Sequence, residues 1–242
     1  MLRSVEPVGN PDRPRRLSLP LLKRGARAPV VIAGGLAIIG LYALSAHLNH
    51  GEPTRLVESV IDSWIPFLPW TIWIYISDYP LLMLAILLPS DRRRSEAAYG
   101  LLLAALIGLV IFTLWPTSII RSPLSLAGIT GLLWKLVYAI DTTTNACPSL
   151  HVANTCIAAR ALYGEGAAWR LVAPVWGSAV IVSTLTTKQH YFIDVPGGVL
   201  VGIVCIAITR FGFTYREVGR RRVERAADER SARDRSLLQE KQ

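Results

Sequence analysis

The sequence predicts an all-α fold, a polytopic membrane bundle with six transmembrane helices. Two observations predict it. The 242-residue chain is 52% hydrophobic with a mean hydropathy of +0.39, and its charged residues, 18% of the total, are clustered instead of scattered. Long apolar runs alternate with short basic clusters, which is the pattern of a membrane protein and not of a soluble domain. The second observation is that six spans put every basic cluster on the same side, as the positive-inside tendency requires.

Six segments approach the ~20 apolar residues that a helix needs to cross a hydrocarbon core. They are Ala28 to Leu48, Trp70 to Leu88 (with Pro80 inside), Ala97 to Trp115, Ser149 to Tyr163, Ala168 to Leu185 and Val195 to Phe213. The fourth is short. Leu124 to Ile140 is apolar but interrupted by Lys135 and glycines, so it reads as a helix on or dipping into the surface. "IDSWIPFLPW", Ile61 to Trp70, suits the headgroup level through its tryptophans, prolines and carboxylate. The domains follow: a basic segment 1–27, a six-span membrane domain 28–213, and a charged tail 214–242 that reads as a solvated helix or disordered end. "ALSA" at Ala43 resembles a cleavage site, but a basic leader this long reads as an uncleaved anchor.

The clusters "RPRRLSLPLLKRGAR", "DRRR" and "REVGRRRVER" then lie in the cytoplasm with both termini. Pro116 to Pro148 and Thr186 to Asp194 face out. The net charge of +9 sits almost wholly in those clusters, so membrane orientation accounts for it and nucleic acid is not an expected partner. Cys147, Cys156 and Cys205 lack metal-ligand spacing and read as packing residues. High Ala and Arg content is compatible with a bacterial chain, which would make the membrane the inner one and the outer face periplasmic.

Two of the four histidines stand on that outer face, in "NACPSLHVANT" and "KQHYFIDVPGG". His190 and Asp194 are spaced i, i+4, one helical turn apart. A carboxylate there can accept the Nδ1 proton, fix the tautomer and leave Nε2 as a nucleophile, or it can merely cap a helix beside an interfacial histidine. His151 follows Pro148 and Ser149, a helix start whose free amides suit an anion. It could protonate a departing oxygen. Arg121, in "LWPTSIIRSPLS", is a cation on the side where the positive-inside tendency disfavours one, and a phosphate oxygen is its natural partner. A lipid headgroup anchor is the plainer alternative. Together these parts read as a phosphoryl-transfer site.

The chain resembles the type 2 phosphatidic acid phosphatase superfamily of membrane lipid phosphatases and phosphotransferases. That family's signature is K-x6-R-P, P-S-G-H and S-R-x5-H-x3-D. Here "PSLH", Pro148 to His151, matches the second part, "STLTTKQHYFID", Ser183 to Asp194, the third, and Arg121 the arginine of the first. The resemblance covers Ile61 to Phe213. It implies a superfamily-like core with His190 as the nucleophile forming a phosphohistidine, Asp194 as its partner and His151 as the acid. Arg121, Ser149 and the Ser149 and Leu150 amides would hold the phosphate, with no metal and no cofactor. The chain also departs from the signature. Leu114 stands where the lysine is expected, Ser122 intervenes before Pro123, Leu150 replaces the glycine and Thr184 replaces an arginine. Lys188 is the candidate to supply one missing cation. "PSLH" and "HYFID" resemble the inositol phosphorylceramide synthase branch, which passes a phosphorylated head group between lipids.

The expected function is thus an integral-membrane lipid phosphatase or phosphotransferase on a lipid phosphoester, with head-group transfer to a lipid or polyol as the alternative. Two other classes compete: a zinc enzyme using His151, His190 and Asp194 as ligands, and a non-catalytic lipid transporter. Against the transporter, the spans look nearly free of polar residues, and the polar cluster looks confined to one face instead of the midplane.

Overall fold

The computed structural model describes residues 17–48, 52–121, 124, 126–141 and 143–217. Most of the basic leader, Ser122, Pro123 and most of the tail lie outside them. Nine α-helices run in order among the described residues. They are α1 (Arg27–Leu48), α2 (Val60–Trp64), α3 (Ile72–Ile76), α4 (Asp78–Leu87), α5 (Asp91–Leu114), α6 (Gly128–Ile140), α7 (Leu150–Tyr163), α8 (Ala167–Thr186) and α9 (Asp194–Ala207). Helix α9 continues into a π turn, Ile208–Gly212.

Five stretches are long and apolar enough to cross a membrane: Arg24–Ser45, Pro69–Leu87, Asp91–Leu114, Ala167–Thr186 and Asp194–Gly212. The sixth expected helix, α7, has only 14 residues. That is roughly 21 Å of rise against a hydrocarbon core of about 30 Å. The chain is a polytopic helical membrane protein, and α7 is its centre. Val152, Ala153, Ile157, Ala158, Ala161 and Leu162 of α7 are buried among residues of α4, α5, α8 and α9. The outward faces carry exposed Ile32, Leu36, Val175, Leu200 and Phe211, as a lipid solvent allows.

Small residues set the close approach of α9 to α7. A Cβ on Gly198 would stand 2.4 Å from the Ser149 carbonyl oxygen, and one on Gly202 would stand 2.9 Å from the Cys156 Cβ. This Gly-x-x-x-Gly seam lets the two backbones touch.

The second expected span is not one helix. A 3₁₀ turn (Pro69–Thr71), α3 and α4 follow each other, with Ser77 between the last two. Pro80, having no N–H to send back a turn, sits in the first turn of α4, where none is needed. The break turns Tyr75 and Asp78 inward.

Two short parallel ladders close the ends. Strand β1 (Leu17–Pro20) pairs with β4 (Phe213–Arg216), which brings both chain flanks to one end. Strand β2 (Thr54–Arg55) pairs with β3 (Thr117–Ser118) at the other. The latter end carries the histidines, since the Cys147 N–H donates to Thr117 Oγ1 at 2.8 Å.

Candidate active site

His190 is positioned by the end of α8. Lys188 adopts φ +53°, the left-handed conformation that ends a helix. Its N–H donates to Leu185 O at 3.0 Å, and the Gln189 N–H donates to Thr184 O at 3.1 Å, together a Schellman motif. The His190 N–H reaches the same Thr184 oxygen at 3.2 Å. The backbone of the nucleophile candidate is therefore locked one residue after a rigid helix stop. Further along, the Phe192 N–H donates to Asp62 Oδ1 at 2.6 Å. Asp62 is also the far half of a capping box with Ser59. The carboxylate expected at the headgroup level is thus buried and clamps the histidine loop.

The i, i+4 pair forms, but not on one helical face: His190 lies in the bend before α9, whose first residue is Asp194. His190 Nδ1 lies 3.2 Å from Asp194 Oδ2, and the Tyr191 N–H donates to the same oxygen at 2.9 Å. Asp194 is wholly buried. Burial first, and then the negative charge of this carboxylate, push the Cys147 thiol up to about 11. With Nδ1 held by Asp194, Nε2 is the ring nitrogen of His190 left for the cavity.

Ser149 is the N-cap of α7, its side chain accepting the Val152 N–H, so His151 stands in the first turn. His151 is held on both edges. Nδ1 lies 3.3 Å from Asp78 Oδ2, whose other oxygen accepts from Thr155 Oγ1 at 2.8 Å. Nε2 lies 2.6 Å from Tyr75 Oη, and Tyr75 in turn donates to Asp141 Oδ2 at 2.8 Å. The two histidine rings meet edge to face, with centroids 6.2 Å apart and planes at 67°.

Both rings line one cavity of about 530 Å³ together with Tyr75, Asp78, Asp141, Asn145, Asn154 and Gln189. Its opposite wall is apolar and comes from α1, at Gly35, Ile38, Ile39 and Ala43. The cavity extends inward from the rim. Asp78, the tenth residue of the 19-residue Pro69–Leu87 stretch, lies midway along it. This corrects the expectation that the spans are nearly free of polar residues and that the cluster is confined to one face.

The remaining sequence candidates divide. Arg121 lines the cavity, donates from Nη1 to the Asp141 carbonyl at 2.7 Å and stacks over Tyr138 at 4.8 Å. Leu150 also lines it. Ser149 is fully buried, with its N–H donated to Asp194 O at 3.1 Å, so that amide serves the scaffold. The Lys188 ammonium turns away from the cavity and donates to the Asp62 carbonyl at 2.5 Å, with Glu58 at 3.6 Å. The left-handed turn that ends α8 sends the side chain in that direction.

The profile of the PAP2 superfamily matches residues 41–208, which includes both histidine stretches and Arg121. The chain belongs to the PAP2 superfamily. Members are phosphoesterases or phosphotransferases, so the two histidines sit in a phosphatase- or phosphotransferase-type protein. Neither the curated proteins nor the solved structures contain a match. Sequence reasoning missed Tyr75, Asp78 and Asp141. The signal available for Asp78 was a lone carboxylate inside an apolar span, which in a membrane protein points to function.

Proposed function

We propose that this PAP2 superfamily protein is an integral-membrane lipid phosphatase or phosphotransferase that acts through a phosphohistidine on His190. The observation carrying this reading is the facing pair of acid–histidine units, His190 on Asp194 and His151 on Asp78, 6.2 Å apart across one cavity. Nε2 of His190 attacks, the N–P bond forms, and the P–O bond to the leaving alcohol breaks. The departing oxygen takes the Nε2 proton of His151. In the second half-reaction His151 takes a proton from the acceptor hydroxyl, whose oxygen displaces His190. Arg121 and the free amides at the start of α7 face the phosphoryl oxygens. Neither half-reaction calls for a metal or a cofactor. The basic flanks support a cytoplasmic β1–β4 end and a site on the outer face, periplasmic if the membrane is a bacterial inner one.

One observation favours head-group transfer over hydrolysis of a phosphate monoester. Among the described residues lining the cavity, Arg121 is the one lysine or arginine, set against two carboxylates, Asp78 and Asp141. A monoester brings about two negative charges at neutral pH and a phosphodiester one. In a site of low dielectric, Arg121 and a protonated His151 are already balanced by Asp78 and Asp141, so the second charge of a monoester is costly. The diester is the better donor by that count.

The test is product release from detergent-solubilised lipid monoesters, pyrophosphates and phosphodiesters, with and without a lipid or polyol alcohol, all in EDTA. Turnover that disappears in His190→Ala supports the reading; the preferred ester class identifies the donor, and dependence on the added alcohol separates transferase from phosphatase. Full activity in His190→Ala, or dependence on added zinc, would sink it.

A further inference from the structure

The hydrogens around His151 can be counted, and the count assigns roles to Tyr75 and Asp141. Tyr75 carries one hydroxyl hydrogen and makes two short contacts, 2.6 Å to His151 Nε2 and 2.8 Å to Asp141 Oδ2. A carboxylate can only accept, so that hydrogen lies toward Asp141. Tyr75 Oη then offers a lone pair to Nε2, and so close an approach needs a hydrogen on the nitrogen. On the other edge Nδ1 faces Asp78 Oδ2, a second group that only accepts. Both ring nitrogens are therefore donors, and His151 rests as the imidazolium. His190 differs: among the described residues, Asp194 engages its Nδ1 and no group hydrogen-bonds its Nε2.

We propose that Tyr75 and Asp141 are positioning residues that keep the acid proton on His151 until a leaving oxygen takes it. The inference deepens the reading above and rests on it. Asp141 orders the Tyr75 hydroxyl, and Tyr75 accepts from Nε2 in the position a leaving oxygen must also reach. When that oxygen takes the proton, the N–H bond breaks, an O–H bond forms and the ring is neutral. The Tyr75 hydrogen can then swing from Asp141 to Nε2. When the acceptor hydroxyl returns a proton to Nε2, the hydrogen swings back. The neutral ring deprives Asp141 of its donor, so the assembly favours the loaded acid. Arg121 supports it by holding the Asp141 main chain. The other groups facing this ring are Asp78 and Tyr79 of α4, Thr155 through Asp78, and His190 across the cavity.

Two readouts test this on the full-length protein in detergent. The first is the ¹⁵N-histidine spectrum at neutral pH, with the His151 signal assigned by its loss in His151→Asn. Wild type is expected to show a doubly protonated ring, and Tyr75→Phe and Asp141→Asn a neutral one. A neutral ring in wild type, or an unchanged ring in both variants, overturns the proposal. The second is turnover of a dialkyl phosphodiester and of its alkyl 4-nitrophenyl counterpart, whose leaving group departs without a proton. Both variants are expected to lose at least tenfold in kcat on the dialkyl ester, at unchanged KM, and much less on the nitrophenyl ester. Equal losses on the two esters mark a merely structural role and overturn it. Where the wild type turns over only monoesters, the same comparison is made on an alkyl and a 4-nitrophenyl monoester; a wild type inert on all four esters overturns the parent reading together with this one. An active wild type whose variants behave like it overturns this one alone.

Discussion

The main-chain N–H of Ser149 donates to the main-chain carbonyl of Asp194 at 3.1 Å. One bond thus joins the start of α7, which carries His151, to the start of α9, whose first residue orients His190. The spacing of the two catalytic candidates is set by backbone contact, which depends on the glycine seam beneath it.

Gly198 is where that contact is most exposed to change. A methyl there would meet the Ser149 carbonyl oxygen at 2.4 Å, an atom of the backbone that cannot swing aside. Gly198→Ala is expected to lower stability by about 1–3 kcal/mol. It should also cut kcat at little changed KM, because the two rings part. Thermal melting in detergent and steady-state turnover check both halves.

Asp194→Asn keeps the shape of the pair, and its amide oxygen can still accept from the Tyr191 N–H and His190 Nδ1. It removes the negative charge that holds the proton on Nδ1 and supports the cation forming on the attacking ring. Turnover should fall by roughly 10²- to 10⁴-fold on every ester, good leaving group or poor. Acid-quench trapping of a phosphorylated protein should fail in the variant.

Asp78→Asn acts on the other histidine, and its signature should differ. Loss is expected to be large on alkyl esters, of order 10²-fold, and small on 4-nitrophenyl esters. Equal loss on both would mean that Asp78 supports the fold at the α4–α7 contact and not the acid.

Arg121 and Lys188 should separate cleanly. Arg121→Gln is expected to raise KM and lower kcat together, since the cation lining the cavity is gone. Lys188→Gly should keep turnover and not lower the melting temperature, because glycine adopts φ near +53° freely. If Lys188→Gly lost activity as Arg121→Gln does, the lysine would belong to the phosphate site after all.

Cys147 is buried against Asp194 and its thiol is pushed up to about 11, so at pH 8 almost none of it is thiolate. Maleimide at that pH should leave activity unchanged in the folded protein. Rapid inactivation traced by mass spectrometry to Cys147 would mean the loop opens.

The sequence carried the fold class because apolar run length is a one-dimensional quantity. Helix α1 begins at Arg27 where Ala28 was expected, and α9 begins at Asp194 where Val195 was expected. The second span was harder to read, since its break at Ser77 comes from the pull of inward packing on a proline-bearing helix. The candidate site divides in the same way. Ser149 as a cap and His190 beside Asp194 are relations within four residues, and local geometry enforces them. Lys188 looked like a phosphate ligand because it is two residues from His190. The left-handed turn at Lys188 sends its side chain elsewhere, and spacing alone does not record a positive φ.

What the sequence determined by itself was local: the nucleophile candidate and its acid four residues apart, the serine and its cap, the apolar lengths that demand a membrane. Only the tertiary structure decided what stands around His151. Asp78, Tyr75 and Asp141 reach it from α4, α3 and the end of α6, and in the chain the first two precede it by 73 and 76 residues. They meet because α7 is buried among its neighbours on all sides and because a carboxylate in an apolar span has nowhere to go but a polar partner.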